Sequence, residues 1–391
     1  MTYKDLIYVD NAATSWPKPQ AMLEGMAYFN DRMGANPGRS GHRLSVEAAR
    51  VVYGVRERLA RLFNAPDALR VLLCANVTAG LNIALMGLLR PGQHAITSSM
   101  EHNSVMRPLR ELQRSGVELS VVRCSSEGEL DPQDVKNALR PNTRLIALNH
   151  ASNVVGTRLP LREVGRFARE HGALLLADCA QTAGAYPLDM QEDLIDLLAF
   201  TGHKALYGPM GTGGLVLGER VDIQEMAPLQ RGGTGSNSEQ EEQPDFVPDK
   251  FESGTANAIG LAGLSASLDW IEAQGIERIQ AHEQALAGRL MDGLAAIDGL
   301  KLYGPRDSRR GSPVISFTLD GLDNGRVGRL LDERYGILCR VGLHCAPAAH
   351  RTIGTFPDGT VRFGLGYFNT DGQIDKVLGA VSEIADERRA A

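Results

Sequence analysis

The sequence predicts an α/β protein with a large domain on a mainly parallel sheet and a smaller α+β C-terminal domain. Three observations carry this. Short apolar runs recur through the first half of the chain. Stretches with helical periodicity alternate with them, as in parallel sheets whose faces are covered by helices. Beyond residue 300 the strands and helices form a second, shorter set.

The runs VLLC (71–74), HAIT (94–97), LIALN (145–149), ALLLAD (173–178) and LLAF (197–200) read as buried strands. Helices are expected over 45–63, 79–89, 103–115, 132–140 and 161–171. Residues 228–257, rich in Gly, Ser, Gln and Glu, read as a long loop, and a helical region follows over roughly 259–297. The segments PVISFTL, GILCRVG and VRFGLG, with helices near 324–335 and 371–387, make up the small domain. The expected division is an N-terminal segment near the active site (1–20), a large domain (21–258), and a linking helix with the small domain (259–391).

The net charge is −6 and no block of basic residues stands out, which argues against nucleic acid as a partner. No apolar run approaches a membrane span. The opening MTYKDLIYVD carries charges where a signal peptide needs an apolar core. The five cysteines form no CxxC pair, so neither a disulfide framework nor a metal site is suggested. A cytoplasmic protein with free thiols is the expectation.

In open α/β sheets, ligands sit beyond the carboxyl ends of the strands, and the polar residues of interest cluster there. Lys204, in FTGHKALYGPMG (200–211), lies just past an apolar strand. A lone loop lysine is usually solvated, but a lysine amine also forms Schiff bases with carbonyls, as in enzymes that use pyridoxal 5′-phosphate (PLP). Asp178 ends the run ALLLAD, and a carboxylate there suits a cationic partner such as a pyridinium nitrogen. Thr78 stands where NVTAGLNIAL (76–85) opens a helix, a place for phosphate or for an ordinary cap. Thr201 and His203 offer further phosphate contacts from the lysine loop.

His102, in MEHNS, is able to stack on a ring and move protons, or simply to hold a loop. Asn153 and Gln181 are amides at strand ends, suited to ligands or to turns. Arg362, on a probable strand, suits a carboxylate. Cys345, in RVGLHCAP (340–347), has Arg340 and His344 as neighbours, and positive neighbours favour a nucleophilic thiolate. The other cysteines sit in or beside apolar runs and read as small buried hydrophobes.

With these residues in place the chain resembles the class V aminotransferase-like, fold-type I PLP enzymes, and among them the cysteine desulfurases and selenocysteine lyases. The likeness runs through YVDNAATSWPKP (8–19), GANPGRSGHRLS (34–45), SSMEHNSV (98–105), NHASNVVGT (149–157) and ADCAQTAGAYPLD (177–189). It closes with FTGHKALYGPMGTGGL, FESGTANAIGL (251–261), RVGLHCAP and RFGLGYFNT, in order and at family-like spacing.

The resemblance implies that Lys204 holds PLP as a Schiff base, Asp178 pairs with its ring nitrogen, His102 stacks on the ring and Gln181 meets the phenolic oxygen. Thr78, Thr201 and His203 bind the phosphate, and Thr255 reaches the phosphate of a neighbouring subunit, which implies a homodimer with shared active sites. Asn153 and Arg362 hold the substrate carboxylate, with Arg340 and Ala13 also at the substrate. Cys345, in an RxGxHC-type motif nearer to the members with a short, structured cysteine loop than to those with a long flexible one, takes sulfur from L-cysteine as a persulfide and passes it to an acceptor protein, leaving L-alanine. L-selenocysteine is the alternative substrate. A C–S lyase or aminotransferase on the same scaffold is the alternative reaction, and Cys345 separates these readings. The chain has Val77–Thr78 where many members carry two hydroxyl residues, and the stretch after Cys345, with His350, departs from the usual one.

Overall fold

Strand registers explain why the polar residues collect at one edge of the main sheet. A computed structural model describes residues 6–38 and 40–390. Residues 1–5 of the expected N-terminal segment, Arg39 of the GANPGRSGHRLS stretch and Ala391 lie outside the described residues.

In chain order the elements are β1 (Ile7–Tyr8), α1 (Gln20–Arg32), α2 (Arg43–Leu62), β2 (Val71–Cys74), α3 (Val77–Leu88) and β3 (His94–Ser98). Next come α4 (Asn103–Arg114), β4 (Glu118–Val122), α5 (Pro132–Asn137), β5 (Thr143–Asn149), α6 (Leu161–His171), β6 (Leu174–Asp178), β7 (Leu197–Thr201) and β8 (Gly213–Leu217). The helices α7 (Ala258–Gln274) and α8 (Ile276–Ala295) lead to β9 (Leu300–Tyr303), β10 (Val314–Leu319) and α9 (Asn324–Tyr335). The last elements are β11 (Ile337–Leu338), β12 (Arg340–Gly342), α10 (Pro347–Ile353), β13 (Thr360–Gly364) and α11 (Asp371–Ala390).

The large sheet has seven strands in the order β2-β8-β7-β6-β5-β3-β4. Only β8 is antiparallel to its neighbours, β2 and β7. The two reversals cancel, so β2 runs with β7, and Cys74 and Thr201 both lie opposite Gly213. Asn149 pairs with Asp178, and Asp178 with Ala199. Strands β6 and β7 are buried along their whole length, as continuous apolar runs in a covered sheet should be. Gly213 is required where it stands, because a Cβ there would lie 2.7 Å from the Asn76 backbone.

The expected helix over 259–297 breaks at Gly275, whose φ of 81° ends α7 and starts α8. The expected strand GILCRVG also divides. Strand β11 pairs with β1 in a two-stranded ribbon, while β12 joins the four-stranded antiparallel sheet β12-β13-β10-β9. The start of the chain is thereby joined to the C-terminal strands, and Asp10 bridges Gly364 of β13. Among the described residues, no helix is long and apolar enough to cross a membrane.

The long loop before α7 is anchored by charge. Arg56 of α2 forms a bidentate pair with Glu252 at 2.7 Å and also donates to the Val71 carbonyl. The Leu73 amide donates to the same Glu252 carboxylate at 2.7 Å. Removing one partner of such a pair strands the other charge. Glu252→Ala is expected to lower unfolding stability by roughly 3 kcal/mol in urea denaturation, as isolated buried charges do. A loss under about 1 kcal/mol, the range of exposed pairs, contradicts this anchoring role.

Candidate active site

Lys204 sits in a tight turn between β7 and β8. Gly202 lets the turn close, since a Cβ there would lie 2.0 Å from Thr212 Oγ1. The N-terminal segment braces the turn from outside. Ser15 Oγ donates to the Lys204 carbonyl at 2.8 Å, and Lys18 Nζ donates to the His203 carbonyl at 2.7 Å. Tyr207 N–H closes on the Lys204 carbonyl at 2.8 Å.

Lys204 lines a cavity of 290 Å³ together with Asp178, His102, Gln181 and Asn153. Thr78, Thr201 and His203 line the same cavity. Burial lowers the Lys204 pKa to about 8, against the attraction of Asp178. Burial raises the Asp178 carboxyl, and a hydrogen bond from the Ala180 amide at 3.0 Å works against it. Burial, followed by the positive charges of Lys204 and Arg340, lowers His102 to about 4, so its imidazole is neutral. His203 is likewise lowered to about 4, chiefly by burial.

His102 caps α4, with Nδ1 accepting from the Ser104 amide at 3.0 Å. Its proton therefore sits on Nε2. Ser104 Oγ touches both His102 Nδ1, at 2.9 Å, and Thr78 Oγ1, at 2.8 Å. Ser104 thus couples two predicted residues, and the sequence reading did not single it out. The helix cap before Thr78 is Asn76, whose side chain accepts from the Ala79 amide. Gln181 Nε2 donates to the Ala12 carbonyl at 3.1 Å. Two buried wall atoms, Thr201 Oγ1 and His203 Nδ1, have no hydrogen-bond partner among the described residues. With the α3 N-terminus beside them they form a place for an anion.

Arg362 is 1% exposed on β13. Its Nη1 donates to the Asn153 carbonyl at 2.9 Å and its Nη2 to Asp10 Oδ1 at 2.7 Å. Its Nε is buried without a partner. Asp10, the counter-ion, was missed because it is remote in sequence. The only available signal was a carboxylate in YVDNAAT. Asn153 Nδ2 donates to the His344 carbonyl at 2.7 Å, so these residues form one connected group.

Cys345 is the exposed cysteine of the five, with Sγ 3.4 Å from Arg340 Nη2. The structure corrects one expectation about its loop. His344 contributes no positive charge, because burial, reinforced by Arg362, drives its pKa down to about 2. The backbone of the loop is pinned, since the Asn103 amide donates to the Cys345 carbonyl at 2.9 Å and Ala346 N–H to Leu343 at 2.9 Å. Five predicted residues are not in the cavity wall: Arg362, Arg340, Cys345, Ala13 and Thr255. Ala13 bonds Asp10 through its amide, and it is the Ala12 carbonyl that meets Gln181. Thr255 is exposed, accepts from Asn36 Nδ2 at 3.3 Å and lines a separate cleft of 340 Å³ beside Cys74 and Asn257.

Known proteins share this arrangement of chain and fold. A probable cysteine desulfurase of Methanothermobacter thermautotrophicus is 35% identical over 388 residues, covering 98% of this chain and 95% of its own length. A cysteine desulfurase of Escherichia coli O8 is 35% identical over 390 residues, covering 97% and 93%. The apo structure of a cysteine desulfurase from Thermococcus onnurineus superposes with a TM-score of 0.92 at 30% identity, over 98% of this chain and 96% of that one. The family model described as aminotransferase class-V matches residues 7–377, and the chain belongs to that family.

Proposed function

We propose that this protein is a PLP-dependent cysteine desulfurase that works as a homodimer and passes sulfur through Cys345 to an acceptor protein. The observation that carries the reading is the meeting of Lys204 and Asp178 in one cavity whose wall keeps two unpartnered polar atoms, Thr201 Oγ1 and His203 Nδ1. These residues fit the cofactor. Lys204 would hold it, Asp178 would balance the ring nitrogen, Gln181 would meet the phenolic oxygen, and Thr78, Thr201 and His203 would take the phosphate. When bound, the cofactor supplies the electron sink for bonds at the substrate's α-carbon.

The protein's own residues do the rest. Lys204 takes the substrate α-proton, and a pKa near 8 keeps part of its amine neutral at physiological pH. The unpartnered Nε of Arg362, with Asn153 beside it, suits the substrate carboxylate. His102 presents an uncharged imidazole to the cofactor ring. Arg340 Nη2 stands beside the Cys345 Sγ that acts, as a thiolate, as the nucleophile. That thiolate attacks the substrate sulfur. The carbon–sulfur bond breaks, a sulfur–sulfur bond forms and the carbon gains a proton, so cysteine and a thiol become alanine and a persulfide. Thr255, exposed in its own cleft, is available to the phosphate site of a second copy.

Three measurements test this reading. Only the neutral Lys204 amine can join the cofactor, so PLP loading of apo protein, followed by visible absorbance, should speed up as pH rises toward about 8 and level off above it. A rate that falls with rising pH refutes that role. Cys345→Ala should keep PLP absorbance and lose alanine formation from L-cysteine by about 100-fold or more. If turnover of L-selenocysteine survives in that variant and exceeds cysteine turnover in wild type, the protein is a selenocysteine lyase. Arg362→Lys should raise the KM for cysteine by about 10- to 100-fold, since a lysine cannot reproduce the guanidinium geometry. An unchanged KM removes Arg362 from the substrate site.

A further inference from the structure

The Cys345 loop rests on a buried polar chain that the proposed chemistry leaves unused. Its protons can be placed one by one. Ser316 Oγ donates to the Val154 carbonyl at 2.6 Å. Thr360 Oγ1 donates to Ser316 Oγ at 3.0 Å. With its one proton committed, the Thr360 hydroxyl must accept from His344 Nε2, 3.1 Å away. His344 is therefore protonated on Nε2, and its Nδ1 carries a lone pair. That Nδ1 is buried without a hydrogen-bond partner.

His350, on α10, faces it with ring centres 5.5 Å apart. Both residues are inside the protein, at 2% and 0% exposure. His350 Nδ1 lies 2.7 Å from Thr355 Oγ1. Its Nε2 is likewise without a hydrogen-bond partner among the described residues, on a ring that lies beside the Leu343 carbonyl. A carbonyl and a bare Nδ1 are both acceptors. One arrangement serves them: Thr355 donates to His350 Nδ1, and His350 carries its proton on Nε2.

The turn so supported is a demanding one. His344 and Cys345 have φ of 49° and 59°, in the left-handed region that non-glycine residues avoid. Such a conformation persists only where its surroundings hold it. Asn153 and Asn103 hold it at the His344 and Cys345 carbonyls. The inner face of the turn is left to His350.

We propose that His350 is a positioning residue for Cys345: its Nε2–H faces the Leu343 carbonyl and the bare His344 Nδ1, directly or through one bridging water, and locks the 343–345 turn with the thiol beside Arg340. The inference rests on the reading of Cys345 as the sulfur acceptor.

The test uses PLP-loaded protein with 15N-labelled histidines. In wild type, His344 and His350 should each show a proton on Nε2, and a His350 protonated on Nδ1 overturns the proposal without any variant. His350→Phe keeps a ring and removes both nitrogens. Its kcat for alanine from L-cysteine should fall about 10- to 100-fold with KM within about twofold, as expected for a displaced reacting group. Alkylation of Cys345 by iodoacetamide should slow in parallel. His350→Gln places an amide N–H near the lost Nε2–H and should recover kcat to within about threefold of wild type. A Phe variant with unchanged kcat, or a Gln variant as impaired as Phe, overturns the proposal. If Phe does not fold, the wild-type spectrum and the Gln variant decide. If wild type makes no alanine, the desulfurase reading fails, and the histidine spectrum still decides the proton arrangement.

Discussion

One buried guanidinium ties the parts of this site together. Arg362 lies on β13 of the four-stranded sheet, Asp10 just after β1 and Asn153 in the loop after β5 of the seven-stranded sheet, and Arg362 bonds both. An arginine at 1% exposure is tolerable only when its charge is met. Asp10 meets it, and the β1–β11 ribbon holds Asp10 in place. Asn153 then reaches on to His344, the residue before Cys345. The placement of the thiol relative to the lysine cavity therefore depends on a charge pair contributed by distant parts of the chain.

Burial sets the protonation pattern around that frame. His102, His203 and His344 are all driven toward the neutral form, chiefly by desolvation and partly by nearby cations. Lys204 is lowered by the same cause, yet it stays within reach of physiological pH because Asp178 pulls the other way. Of these four groups, Lys204 is the one that titrates near neutral pH. The imidazoles serve as uncharged hydrogen-bonding surfaces, each with its tautomer fixed where a backbone amide or a hydroxyl chain commits it.

Much of the seven-stranded sheet was legible because its central strands are buried on both faces and read as plain apolar runs. The strands that escaped notice lack that signal. GGLVL of β8 begins with two glycines, present because Asn76 and Leu72 approach too closely for a side chain. ELSVV of β4 is an edge strand, exposed at Glu118 and Val121. Helix α1 is introduced by a proline and interrupted by Gly25, which lies against Ala262 and Ala266 of α7. For β8 and α1, contact with a distant element, and not local propensity, decided the glycines.

The sequence by itself determined the chemistry available: a lysine, an aspartate and a histidine at strand ends, an arginine on a later strand, and a cysteine in a glycine- and proline-flanked loop. Those assignments rest on strand periodicity and residue type, which are local properties. The tertiary structure alone decided which groups meet. It brought Asp10 to Arg362 and Ser104 between Thr78 and His102, and it placed Thr255 and Ala13 outside the cavity. It also turned His344 inward, where desolvation removes the charge the sequence had suggested. Partners remote in sequence and the dielectric around a group are properties of the packed chain, so no single stretch of residues can specify them.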